Sequence, residues 1–304
     1  MSFFQPKHLG KMTSIFILAM ISFACSNPEI TKEETNMDPK QKEYWYGGEA
    51  EITSYKLVQA RYGELREGTS VMVFVTEPFS KKSMTKADRS SDSNVPVLKL
   101  NQTKNFITGI YPYSMMTSSF LPFDKGDHSL KISSSSQEWC GHSFMELENS
   151  GKFNIETRSY FEGESGKTSL SKSYLEDDIW SLIRLRPESL PTGQTEMIPS
   201  FFYIRLAHIP TKAYKANAKN MVHDNGTSSY VIEYPELDRS LAIEYETAFP
   251  HKIISWNESY MDGFGSNKVK LNTTGTAIKT IKSAYWGQHS NSDEGLRTEL
   301  GLDK

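Results

Sequence analysis

From Trp45 onward, apolar and polar positions largely alternate, and the apolar ones are rich in β-branched and aromatic side chains. A period of two belongs to strands with one buried face. The run Val71–Val75 predicts a buried strand ended by Pro78, and the polar stretch Ser80–Asn94 predicts a loop. Between Gln137 and Glu162 the pattern predicts a hairpin. Trp139, Met145 and Leu147 share one parity on its first strand, and Phe153, Ile155 and Phe161 share one on its second. Asn149-Ser150-Gly151 supplies the turn. The opposite parity holds Glu138, Cys140, His142, Glu146, Glu156 and Arg158, so one face is dry and the other wet. Further strands are expected at Phe201–Leu206, Ser229–Tyr234, Leu241–Tyr245, Lys252–Trp256 and Thr276–Ile281.

The period changes once. Over Ser173–Arg186, Leu175, Ile179, Leu182 and Ile183 form one helical stripe, Ser173 and Glu176 suit a capping box, and Pro187 stops the run. Asp177 and Asp178 then read as the solvated first turn, favourable to the helix dipole. The spacing therefore predicts a mainly β protein: a large antiparallel curved sheet or partial barrel, or two packed sheets, with one main amphipathic helix.

Composition narrows the function classes. Of 304 residues, 12% are aromatic, which excludes wholesale disorder, and the net charge of −3 leaves no basic footprint for nucleic acid. The N-terminus carries an address. Lys7 and Lys11 precede the apolar run Ile15–Ile21, which is too short to span a bilayer and has the layout of a secretory signal. Residues 26–43 are polar, with Pro28 and Pro39 opposing helix, and read as a tether. The expected organisation is a signal peptide over 1–24, a lipidated Cys25 with its tether over 25–43, and a β-rich domain over 44–304. A subdivision near 187–197 is the alternative. With Cys25 acylated, Cys140 is the one remaining thiol, so no internal disulfide is expected.

Chemistry-bearing motifs are sparse. Gly163–Thr168 ends like a phosphate loop, but Phe161 stands where its first glycine is required. Glu138, Cys140 and His142 are spaced for one side of a strand, where a thiol beside an imidazole would suit a nucleophile or, with the carboxylate, a soft metal site. Two strand positions put the side chains about 6.5 Å apart, too far for a direct bond. No HExxH, CxxC or GxSxG accompanies them. Cys140 therefore reads as a small buried apolar group. No catalytic set, metal site or cofactor is expected, and the candidate ligand-binding residues are Trp139, Cys140, His142, Tyr203 and Trp256.

Two resemblances extend this reading. Ala24-Cys25 resembles the lipobox of bacterial lipoproteins, with Ser22 where an aliphatic residue is usual. Together with TGIYPYSMM, QEWCGH, LEDDIW, MIPSFFYIRL and IKSAYWG, it looks like an uncharacterised Bacteroidota lipoprotein family. Members are sometimes labelled septum formation inhibitor Maf, although the SxSPRR-type loop of true Maf proteins is absent. The half from Ile198 is similar in strand pattern to the curved sheets of LolA and LolB, which bind lipid or lipoprotein. These resemblances imply cleavage before Cys25, its acylation (palmitate on the thiol), and a place at the outer membrane or cell surface, with a periplasm-facing anchor as the alternative. The expected function is a non-enzymatic binding or scaffolding module for an apolar ligand, a lipid or an envelope protein. The rival is a hydrolase whose site is assembled from distant segments.

Overall fold

A computed structural model describes residues 37–302 apart from 90, 124, 125 and 127. The expected signal peptide, Cys25 and most of the tether lie outside the described residues. The first nine strands are β1 (Ala50–Arg61), β2 (Glu64–Ser80), β3 (Thr85–Lys86), β4 (Asn94–Thr108), β5 (Tyr111–Pro122), β6 (Lys131–Glu138), β7 (Gly141–Ser150), β8 (Lys152–Ser159) and β9 (Gly166–Leu170). The rest are β10 (Tyr174–Leu175), β11 (Gly193–Ile198), β12 (Tyr214–Val222), β13 (Thr227–Tyr234), β14 (Arg239–Glu246), β15 (Ile253–Asp262) and β16 (Val269–Ser283). Four α-helices are described: α1 (Pro39–Tyr46), α2 (Glu176–Leu185), α3 (Phe201–Ala207) and α4 (Gly295–Glu299).

All sixteen strands belong to one sheet, in the order β10-β11-β12-β13-β14-β15-β16-β1-β2-β4-β5-β6-β7-β8-β9, with β3 paired to β2. Every pairing is antiparallel except β10 with β11. The two ends of this order, β9 and β10, are consecutive in sequence. Only residues 171–173 separate them, so Leu170 and Tyr174 lie at most about 14 Å apart. The sheet must therefore curl almost completely round while its terminal strands stay unpaired with each other. The partial barrel is the form adopted. The sheet passes without a break through the segments on either side of 187–197, because β16 pairs with β1.

The curl closes around α2 and α3. Ile179, Leu182 and Ile183 of α2 pack with Leu98, Leu100 and Met115 on one wall and with Tyr230 and Ile243 on the other. Phe201 and Ile204 of α3 pack against Ile132, Leu147, Phe153 and Ile155. Each such side chain contributes about 1.5–3 kcal/mol on burial. Gly275 shows how tight the wall is. It pairs with Trp256, and a Cβ there would come within 2.1 Å of the indole ring.

Several local expectations change in this setting. All ten residues of α2 are buried, including Glu176, Asp177 and Asp178. Glu176 caps nothing locally: the helix starts after Leu175 without a side-chain cap, and the carboxylate goes instead to Arg239. Phe201–Leu206 is helix rather than strand, because the Ser200 hydroxyl accepts from the Phe202 amide at 3.2 Å and starts a turn. Pro39 begins α1, at a position where its missing N–H costs nothing. β2 continues two residues past Pro78, which stands opposite Pro96. The hairpin turn at Asn149–Gly151 forms where the pattern placed it. Trp139 and Cys140, by contrast, form a turn of their own between β6 and β7, so the parity flips there. Glu138 moves to the inner face and Trp139 leaves it.

Buried acids need partners, and the three of α2 find four. Arg239 donates to both oxygens of Glu176 at 2.6 Å and to Glu258 at 2.9 Å, while Tyr234 donates to Glu176 at 2.8 Å. Asp177 accepts from the Phe201 amide at 3.0 Å, and Asp178 accepts from the Ser129 amide at 3.1 Å. A second lock joins Arg184 to Glu51 through paired hydrogen bonds, with the guanidinium over the rings of Trp45 and Phe74.

Two stability predictions follow from these locks. Arg239→Met leaves Glu176 buried without its cation and Glu258 with Lys104 alone, at 3.9 Å, and should lower unfolding free energy by about 3–5 kcal/mol in a denaturant titration. Adding Glu176→Gln should recover part of that loss; no loss in the single variant would contradict the structural role given to the pair. The second concerns pH. Burial raises the Asp177 carboxyl from 3.8 to about 7. The folded state thus holds the proton more tightly than the unfolded state. Stability from this group is complete below about pH 4 and is lost as pH rises towards 7. Asp177→Asn keeps the acceptor for Phe201 and should gain a few kcal/mol on the native protein between these limits. Parallel stability–pH curves for the two proteins would refute the assignment.

Candidate functional site

The sequence candidates separate into two places. Tyr203, on α3, and Trp256, on β15, lie in the core at 6% and 3% exposure. They flank the Glu176–Arg239–Glu258 cluster, with the Arg239 guanidinium 4.3 Å from the Tyr203 ring centre. The void between them is about 10 Å³, room for no more than one water. An acyl chain has no space there. Trp139, Cys140 and His142 sit together at the β6–β7 turn, all exposed.

That turn lies on one rim of the curled sheet. Tracing the strands, the β15–β16, β1–β2, β4–β5, β6–β7 and β8–β9 turns follow one another along it. Each presents an apolar residue next to or near a glycine: Phe264, Tyr62, Ile110, Trp139 and Tyr160. Gly63, Gly109, Gly163 and Gly263 have φ between 58° and 101°, a conformation that excludes most side chains and lets the turns close. Gly141 serves packing instead: the Tyr160 ring lies across it, 2.5 Å from where a Cβ would be. Rings connect the tips. Phe264 and Tyr62 are 5.7 Å apart, Tyr62 and Tyr113 6.5 Å, Tyr113 and Tyr111 6.0 Å, and Tyr111 and Trp139 6.2 Å. Of the six large apolar side chains more than three-fifths exposed among the described residues, Ile107, Ile110, Trp139, Tyr160 and Phe264 are on this rim. The sixth, Val222, is on the opposite rim.

Behind the tips a polar network makes the rim firm. Arg61 donates to the Leu206 carbonyl at 2.7 Å and to the Tyr113 hydroxyl, which also meets Tyr62 at 2.7 Å. Arg205 donates to the Ser143 hydroxyl at 2.7 Å and stacks over Phe161 at 4.5 Å. Burial and the nearby Arg61 lower the affinity of Arg205 for its proton. His208 bridges Arg205 and Glu164. Burial raises the Glu164 carboxyl, but the hydrogen bonds from His208 and Ser159 outweigh this and hold it below its ordinary value.

This network is not a hydrolytic triad. The Nε2 of His208 faces Arg205 at 3.3 Å rather than Ser143, so it is not placed to take the hydroxyl proton. A serine–histidine pair, His223 Nε2 with Ser229 at 2.6 Å, stands on the exposed β12–β13 hairpin, and among the described residues no carboxylate orients its Nδ1. A cleft of about 770 Å³ opens where the sheet ends fail to meet. His128, Lys172, Ser173, Arg186 and Glu196 are among its walls, with no nucleophile–base pair between them. Among the described residues no three His, Cys, Asp or Glu side chains converge as metal ligands.

Cys140 corrects an expectation. It is exposed, because the two-residue turn lifts it off the pleat that would have buried it. The Glu138 carboxylate, which accepts the Cys140 amide at 2.6 Å, holds the thiol above its ordinary value. The thiol is therefore accessible yet not activated. Phe264, Ile110, Tyr160 and Arg205 were not singled out by sequence reasoning. The signal for Phe264 and Ile110 is the repeated apposition of an apolar residue and a turn glycine, in Tyr62-Gly63, Gly109-Ile110, Trp139-Cys140-Gly141 and Gly263-Phe264; Tyr160 and Arg205 carry no such local signal.

Iodoacetamide should alkylate folded Cys140 completely but slowly at neutral pH, accelerating towards alkaline pH, and Glu138→Gln should speed the reaction at neutral pH. Protection of the thiol in the folded protein, or rapid labelling near pH 6, would contradict this geometry.

No family model matches the chain, and no curated protein matches it. Among solved structures, a porin-like protein from Bacteroides uniformis shares 8% identity, over 75% of this chain and 95% of that chain, with a TM-score of 0.23.

Proposed function

We propose that this protein is a non-enzymatic binding or scaffolding module of the cell envelope, tethered through an acylated Cys25, that engages its ligand through the aromatic rim. The observation that carries this reading is the contrast between a packed interior and a rim on which four of five successive turns expose a large apolar side chain, Tyr62 of the fifth being half-buried. Monomeric surfaces rarely collect large apolar groups in this way unless something covers them. The interior, by contrast, offers no apolar cavity of acyl-chain size beside Tyr203 and Trp256.

The geometry of the chain ends fits the same division. Residue 37 leads into α1 and then Ala50, at the rim opposite the aromatic tips. The C-terminal segment returns to that same end, where Leu300 and Leu302 pack on Ala50, Ile52 and Val75. A lipid tether would thus leave from one end of the sheet and the contact surface would stand at the other. A hydrolase assembled from distant segments finds no support in the serine–histidine contacts described above. Among the described residues, no helix is long and apolar enough to cross a membrane.

Site-specific photo-crosslinking in cells tests the reading. A benzophenone amino acid at position 110 or 160 should give adducts, while the same probe at position 222, equally exposed on the opposite rim, should give few. Equal yields from both rims, or none from either, would overturn the assignment of the contact surface.

A further inference from the structure

We infer that the partner of the aromatic rim is a lipid bilayer, with the hairpin tips entering its headgroup–acyl boundary. This rests on the binding reading above and names the occupant.

The chemistry of the tips separates lipid from the alternatives. Leu65, Ile107 and Ile110 accompany the rings of Trp139, Tyr160 and Phe264. Aliphatic side chains gain nothing from stacking on sugars or bases, but they gain fully from hydrocarbon. Trp and Tyr add rings with one polar atom each, the combination enriched where water meets acyl chains. The shape agrees. Successive tips stand two strands and so about 10 Å apart, and their rings join them into one apolar edge. A fluid interface accepts such an edge without a matching socket.

Charge points to the kind of bilayer. Several ionic side chains near the tips pair with one another: Glu64 with Arg66 at 2.6 Å, Lys167 with Glu156 at 3.0 Å, and Lys270 with Asp238, while exposed Lys268 and Glu162 add one charge of each sign. Such exposed pairs contribute little to stability, but they cancel the local field. Among the described residues no cationic patch remains to select anionic headgroups, so a zwitterionic surface suffices. The expected tether is compatible. The twelve steps from Cys25 to Met37 reach about 40 Å when extended, close to the length of the twelve-residue β1. Anchor and rim are therefore able to enter one membrane.

Trp139 provides a built-in reporter. It is highly exposed at the rim, whereas Trp45, Trp180 and Trp256 are buried and Trp286 is half-buried at the far end. The purified full chain would be mixed with phosphatidylcholine vesicles whose acyl chains are either dibrominated or plain. Brominated lipid should quench the tryptophan emission, and about 0.5 M salt should not relieve it. Trp139→Phe should lose the quenching even where co-sedimentation shows the protein fully bound to the vesicles. Ile110→Asn should weaken vesicle affinity about tenfold or more. Absence of quenching, quenching that persists in Trp139→Phe, or quenching that needs anionic lipid and vanishes in salt would each overturn the bilayer assignment. Rim-specific crosslinks in cells without vesicle quenching would reject lipid while leaving the binding reading in place; loss of the crosslinks as well would reject both.

Discussion

A helix buried on every side that opens with three consecutive acids is the constraint on which this structure depends. Carboxyl groups cannot be left without hydrogen-bond partners in an apolar interior, so each acid of α2 dictates something about the sheet around it. Glu176 requires Arg239 from β14, and Arg239 in turn holds Glu258 on β15. Asp177 holds the first amide of α3, and Asp178 holds the chain at Ser129, just before β6. Three neighbouring residues thus tie α2 to both wings of the sheet and to the second interior helix. Apolar packing supplies most of the stability, but it is non-directional. The acids say which wall goes where.

The same arrangement decides where function is able to reside. With α2 and α3 occupying the concave side, the sheet resembles a filled barrel rather than a carrier. Its interior polar groups are spent on one another: Arg184 on Glu51, Arg239 on Glu176 and Glu258, and Lys104 within 3.9 Å of Glu258. A buried ion pair of this kind is weak evidence for catalysis, since neither partner is available to a ligand. The rims and the open seam between β9 and β10 are accessible, as is a pocket of about 380 Å³ between Val71 and Thr103 of the sheet and Leu296 of the C-terminal segment.

The two rims are made differently. One gathers both described chain ends, α1 and the segment carrying Leu300 and Leu302. The other consists of short turns, several closed by glycines in the left-handed region, over a base stiffened by Arg61, Tyr113 and Arg205. A short turn on a firm base is a good way to present an apolar side chain to its surroundings, because little conformational entropy remains to be lost on binding. The exposed Cys140 and His142 belong to this presentation and not to a reactive centre, since the carboxylate nearest the thiol disfavours its ionised form.

The period-two pattern was sufficient to predict a large curved antiparallel sheet, and the β7–β8 turn lies where Asn149–Gly151 placed it. Those features are local: alternation, turn chemistry and the stripe of Leu175, Ile179, Leu182 and Ile183 need only neighbours in the chain. What the local pattern missed was settled by distant partners. Asp177 and Asp178 look like a solvated first turn until the sheet curls over them, and Glu176 looks like half of a capping box until Arg239 arrives from sixty-three residues away. Phe201–Leu206 has strand composition, yet it became a helix inside the curl. The rim was half legible, as apolar residues beside turn glycines, but nothing local says that five such turns line one edge while the termini occupy the other. That follows from the up-and-down strand order, in which alternate turns share an edge, and from the pairing of β16 with β1, which joins segments more than two hundred residues apart and which no local pattern announces.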